Sequence, residues 1–216
     1  MDHTTAHIEA AKLGLRDQIV TARGRLPLAV LSSRARQLAE VVLAVPEVRR
    51  AATVAAYVSV GREPGTGPLL DGLTALGKRI VLPLLLPDDD LDWAAYDGPE
   101  SLATARRGLL EPVGRPLGVA SVATADVVLV PGLAVDHTGL RLGRGGGSYD
   151  RALGRVPVGT FTCCLLNSEE LIGPHHGSRS SSSIPAAAIP AAAHDRRVTA
   201  AATELSLHRF PSPTRR

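Results

Sequence analysis

Apolar residues near the start of the chain recur at helical spacing. Ile8, Ala11, Leu15 and Ile19 fall on one face and predict a helix over about 6–23. A second helix is expected over 28–45, ended by Pro46. Shorter apolar runs then take over. Strands are predicted at 53–60, 79–84, 91–96, 127–130 and 158–165, with a short helix at 68–76 and another starting over 148–154. Val127 to Val130 is apolar at every position, the pattern of a strand buried on both faces in a parallel sheet. Trp93 alternates with Leu91 and Ala95, which assigns it to packing. A last edge strand is expected at 197–202. This alternation predicts an α/β fold: a single domain over 1–210 with an open, mainly parallel sheet flanked by helices. The low-complexity stretch PHHGSRSSSSIPAAAIPAAA, about 174–193, reads as a mobile insertion, and 211–216 as a disordered tail.

A chain of 216 residues suits one such domain and is too short for two comfortable ones. Aromatic residues make up only 3%, so Ala, Leu and Val must supply most of the packing. The net charge of +3 comes without a basic stripe, which argues against nucleic-acid binding and leaves a small anionic ligand as sufficient explanation. No apolar run approaches the length of a membrane span, and the N-terminus lacks a signal pattern, so a cytoplasmic location and no membrane partner are expected. Cys163 and Cys164 are adjacent. Consecutive strand side chains point to opposite faces, so they read as reduced core thiols rather than a disulfide.

The densest chemistry lies in DVVLVPGLAVDHTGLRLGRGGGSYDR at 126–151, where a buried strand runs into a glycine-rich, arginine-flanked turn. Strands of open α/β sheets deliver ligand loops at their carboxyl ends. Gly143, Gly145, Gly146 and Gly147 free the backbone to turn N–H groups toward an anion, and Arg141 and Arg144 add forked positive charge. The same composition also suits a flexible surface loop. The spacing matches neither a nucleoside-triphosphate loop of the G-x-x-x-x-G-K-[ST] type nor a dinucleotide fingerprint. Lys12 and Arg16, at i and i+4, share one helix face, either as a solvated basic patch or as part of an anion site. Glu63 follows the first strand. His175 and His176 lack a spaced third ligand and read as loop residues.

The segment PGLAVDHTGLRLGRGGGSYDRAL resembles the signature of the 5-formyltetrahydrofolate cyclo-ligase family, also called methenyltetrahydrofolate synthetases. The resemblance extends to Lys12 and Arg16 (K-x-x-x-R), to YVSVGREPGT at 57–66, and in weaker echoes to GKRIVLP, GLLEP and the His194–Asp195 pair. It implies ATP-driven closure of 5-formyltetrahydrofolate to 5,10-methenyltetrahydrofolate with release of ADP and phosphate, by a monomer using magnesium. Carried over residue by residue, ATP would be bound by Lys12, Arg16, Arg141, Leu142, Gly143, Arg144, Gly145, Gly146, Gly147, Ser148 and Tyr149. The reduced folate would meet Val58 and Glu63 together with Arg144, Gly145, Gly146, Gly147 and Ser148. Arg144 and Tyr149 would be catalytic, although Tyr149 could equally serve as a packed ring. Asp150 and Asp195 would hold the metal, with a helix-start carboxylate as the plain reading of Asp150. Three departures stand out. Ser148 replaces an aromatic, Val135 replaces a Phe, and alanines replace the acidic, proline-containing lead-in to His194. They keep open a non-catalytic nucleotide-binding or regulatory protein. A sugar-phosphate isomerase or transferase is a third reading, one with no use for the Lys12 and Arg16 pair.

Overall fold

The computed structural model describes residues 3–173 and 188–211, with side chains from residue 6 onward. Most of the expected mobile insertion, with its serines and His175–His176, and residues 212–216 of the expected tail lie outside these residues. Three helices come first: α1 (His3–Gly24), α2 (Leu28–Leu43) and α3 (Pro46–Arg50). Pro46 does not merely stop α2. It opens α3 from the first helical turn, where its missing N–H costs nothing. Then follow β1 (Thr53–Ala55), α4 (Gly67–Ala75), β2 (Arg79–Leu85), β3 (Leu91–Ala95) and a small hairpin of β4 (Leu102–Thr104) and β5 (Leu110–Pro112). The second half holds β6 (Val127–Pro131), β7 (Ala134–Asp136), β8 (Arg141–Leu142), α5 (Ser148–Arg155), β9 (Phe161–Leu165), β10 (Leu171–Ile172), β11 (Ala200–Ala202) and β12 (Leu207–Arg209).

Seven strands form the main sheet in the order β12-β11-β9-β6-β1-β2-β3. The five inner strands are parallel, and β3 and β12 pair antiparallel at the two edges. From β1 the chain moves one way to β2, then returns to place β6 on the other side. The switch of direction therefore falls between β1 and β6, where an open α/β sheet leaves a crevice at its strand ends. Two expectations need correction here. The strand at 53–60 is only three residues long, because after Ala56, whose N–H still reaches Val81 O of β2, residues 57–66 form a loop in which Ser59 and Thr66 exchange backbone-to-hydroxyl bonds of 2.9 and 3.1 Å. Residues 200–202 are not an edge: β12, which escaped the sequence pattern, covers them.

Alternation along the strands divides the core in two. Val54, Val127, Leu129 and Cys163 join α2, α3 and α4 on one face, while Ala55, Val128, Val130 and Cys164 join Trp93 and α5 on the other. The two cysteines thus occupy opposite faces as free buried thiols. Burial pushes the Cys164 thiol up to about 12. A third, smaller core lies between α1 and the β10-β7-β8 sheet, built from Leu15, Ile19, Leu133, Leu140, Leu142, Ile172 and Ile189. Ile189 belongs to the end of the low-complexity stretch, yet it is buried and its N–H donates to Asp136 Oδ2 at 3.1 Å. On α1 the predicted stripe shifts by one residue. Ala11 is exposed and Lys12 is buried in its place.

Candidate active site

At the switch point the loops after β1 and β6, the end of β2, the β4–β5 hairpin, α1 and the start of α5 enclose a cavity of about 400 Å³. Its lining is part apolar, from Val58, Val60, Pro83, Leu85, Leu91 and Leu109, and part charged, with Lys12, Arg16, Arg141 and Arg144 beside several carboxylates. Every predicted site residue lines this cavity, from Lys12 and Arg16 on α1, through Val58 and Glu63, to residues 141–150 and Asp195. Residues more than 180 positions apart in sequence meet: Lys12 Nζ donates to both oxygens of Asp195, at 2.9 and 2.7 Å. Burial works against the charged carboxylate, but the Lys12 ammonium and the Ala192 N–H overcome it and hold Asp195 below the usual range.

The glycine-rich turn spans the step from β8 into α5. Gly145 and Gly147 have φ of +101° and +70°, values that L side chains rarely adopt. Gly147 is the helix N-cap, and no side chain caps α5. Two carbonyls of the turn are engaged by guanidinium groups, Gly143 O by Arg16 Nε at 3.0 Å and Gly146 O by Arg151 Nη2 at 3.1 Å. The N–H groups of Gly145, Gly146 and Gly147 have no such partner among the described residues. Free donors, a helix start and flanking cations are what an anion requires.

The arginines divide the work. Arg141 is buried, pairs with Asp150 at 3.1 Å, donates to Pro131 O at 3.3 Å and lies 5.8 Å from the centre of the Tyr149 ring. It therefore ties the turn to the end of β6 and the start of α5 while lining the cavity. Arg144 is the exposed one, 64% accessible, with its guanidinium 3.1 Å from Glu63. Glu63 also accepts from its own loop, at Val60 N, 2.9 Å. Burial and the nearby Glu63 carboxylate raise the Tyr149 phenol far above its ordinary value, so it stays protonated as a donor.

Asp150 and Asp195 both line the cavity and are joined through Arg196, whose N–H donates to Asp150 Oδ1 at 3.2 Å while Asp195 closes the preceding turn. Each already has a cationic partner. Among the described residues no three acidic, His or Cys side chains cluster as a metal cage. Two carboxylates beside an anion site nonetheless suit magnesium, which keeps several waters and takes its other oxygens from bound phosphates.

Sequence reasoning missed much of the remaining lining. Tyr57, Pro83, Leu85, Leu109 and Glu111 come from three separate segments, and Glu111 accepts the Leu85 N–H at 2.9 Å to tie the β4–β5 hairpin to the end of β2. Only the motif GLLEP hinted at the hairpin. Apolar residues in short strands carry no mark that distinguishes a ligand wall from core.

Fold and cavity together define an α/β ligand-binding protein with an anion loop at the sheet's switch point. More particularly, the chain belongs to the 5-formyltetrahydrofolate cyclo-ligase family, whose model matches residues 8–204. It is 38% identical over 167 residues to the 5-formyltetrahydrofolate cyclo-ligase of Mycolicibacterium smegmatis, covering 75% of this chain and 84% of that one. Against the enzyme of that name from Escherichia coli K12 the identity is 37% over 139 residues, or 61% and 76% of the two chains. The fold is shared with Aquifex aeolicus 5,10-methenyltetrahydrofolate synthetase, with a TM-score of 0.75 at 24% identity over 95% of each chain. It is also shared with a Mycoplasma pneumoniae 5,10-methenyltetrahydrofolate synthetase, with a TM-score of 0.64 at 17% identity over 89% of this chain and 98% of that one.

Proposed function

We propose that this protein is an ATP-dependent 5-formyltetrahydrofolate cyclo-ligase: it closes 5-formyltetrahydrofolate to 5,10-methenyltetrahydrofolate and releases ADP and phosphate. The observation that carries this reading is the mixed lining of one cavity. The anion loop with Lys12, Arg16 and Arg144 shares it with apolar residues fit for a flat heterocycle, and the Arg144–Glu63 pair belongs to the same lining. The formyl oxygen is a poor leaving group. Transfer of the γ-phosphoryl group onto it makes it a good one, after which N10 attacks the formyl carbon and phosphate departs.

Such a transfer asks the protein for position and charge rather than for a nucleophile. The free N–H groups of the turn and Arg16 bind phosphate oxygens, Arg144 stabilises charge on the group in transit, and Tyr149 donates a hydrogen bond at the reacting end. Glu63 accepts from the pterin's N–H donors, and Val58 packs on the ring. Lys12 serves the phosphates while holding Asp195. Magnesium, held by Asp150 and Asp195, supplies charge neutralisation to the triphosphate when bound. On this reading it acts as a monomer in the cytoplasm on small molecules.

Purified protein mixed with 5-formyltetrahydrofolate and magnesium ATP is expected to form the near-ultraviolet-absorbing methenyl product, with one ADP per product. A chelator is expected to stop turnover. Nucleotide binding without product would overturn the reading in favour of a non-catalytic protein, and turnover without ATP would point to an isomerase.

A further inference from the structure

Arg23, on the last turn of α1, lies seven and eleven residues beyond Arg16 and Lys12 and so shares their face. Unlike them it does not line the main cavity. Its Nε donates to Glu170 Oε1 at 2.6 Å, and its Nη2 donates to Glu170 Oε2 and to Gly132 O, both at 2.7 Å. Both side chains are about 5% exposed. The Glu170 carboxylate also takes the N–H and the side-chain amide of Asn167, each at 2.9 Å, so each of its oxygens accepts two hydrogen bonds. A buried pair of this kind stabilises no better than apolar side chains of equal size. What it offers is direction.

We propose that Arg23 and Glu170 are a positioning pair that sets the exit loop of β6 and, through it, the reacting end of the cavity. Gly132 is the first residue beyond β6, at the switch point. Its carbonyl is held by Arg23 from the α1 side, and the preceding carbonyl, Pro131 O, is held by Arg141 from β8. The loop has no slack on its other sides. A Cβ at Gly132 would lie 2.5 Å from Cys164 Sγ and 3.3 Å from Arg141 Cγ, and Leu133 N donates to Leu142 O at 2.7 Å. Movement of Gly132 is therefore passed to Arg141, which carries the Tyr149 ring and the Asp150 carboxylate. Arg23 touches none of the reacting atoms and acts through these residues.

The kinetic part of the test rests on the cyclo-ligase reading; the exchange part does not. The double variant Arg23→Met, Glu170→Leu removes both charges and keeps the volume, and Arg23→Lys keeps the charge without the fork. In the double variant, peptides covering residues 131–142 are expected to exchange amide hydrogens about 10-fold faster while the α2–α4 side of the sheet is unchanged. Its kcat is expected to fall about 10- to 100-fold with KM for ATP within about 3-fold, because misplacement of the reacting groups costs rate more than binding. Arg23→Lys is expected to give an intermediate kcat with a modestly lowered unfolding midpoint well above the assay temperature, and it decides the matter alone if the double variant does not fold. Parental exchange and parental kcat would overturn the proposal, whatever the change in stability. If the parent protein forms no methenyl product, the functional reading falls while amide exchange still decides the role of the pair.

Discussion

Arg144, to which the proposed reaction gives the largest role, has the smallest structural footing. Its guanidinium is mostly exposed and its ion pair with Glu63 sits at the cavity edge, so the pair adds under about 1 kcal/mol to stability. Arg144→Ala is expected to lower turnover about 100-fold while leaving the unfolding midpoint nearly unchanged. Parallel kinetic and thermal measurements check this, and an equal loss in both would make Arg144 a structural residue. Arg141 is the converse. It carries the same side chain three positions earlier, but burial and its bonds to Asp150 and Pro131 O give it a supporting role. The resemblance singles out Arg144 as catalytic, but nothing in the local sequence distinguishes a guanidinium that will be buried from one that will not. Lys12 shows the same blindness: an apparently solvated cation at 4% exposure, closed on a carboxylate from the far end of the chain.

At the scale of elements, the turn from β8 into α5 depends on backbone that only glycine adopts easily. Gly147 has φ +70°, and a Cβ there would lie 3.0 Å from Arg151 Nη1. Gly147→Val is expected to cost about 1–3 kcal/mol of strain and to weaken ATP binding in calorimetry more than it weakens the fold. Unchanged binding heat would mean that the turn does not hold the nucleotide. The helices α2, α4 and α5 lie where periodicity and proline spacing put them, since each buries one apolar stripe. Element ends were less legible. The first strand is shorter than its apolar run because Ser59 and Thr66 bond across their own loop, and Val158, expected in a strand, is 93% exposed.

Across the whole molecule, carboxylates anchor separate parts of the fold. Arg209 beside Glu47, which joins β12 to α3, lowers that carboxyl, and Arg155 does the same for Asp90. The backbone N–H groups of Thr53 and Ala52 lower Asp126, and Arg34 lowers Glu169. With Asp195, all have folded values below their unfolded ones. Their stabilisation is present in full above the ordinary carboxylate range near pH 4 and disappears as pH falls through the lowered folded values. Unfolding free energy, measured by denaturant titration, is expected to be level from about pH 7 to 5 and to drop below about pH 4. A rise on acidification would contradict these pairings.

Local pattern alone determined the α/β class, the main helices and strands, the unlinked cysteines and the glycine-rich turn, because periodicity, proline, glycine and adjacency act over a few residues. The motif order was enough to suggest the cyclo-ligase family. Only the tertiary structure decided strand order, the apolar part of the lining, the pairing of Lys12 with Asp195 and the grip of Arg23 on Gly132. Those are contacts between distant segments, set by how faces pack and charges find partners in the closed chain, and no short window of residues records them.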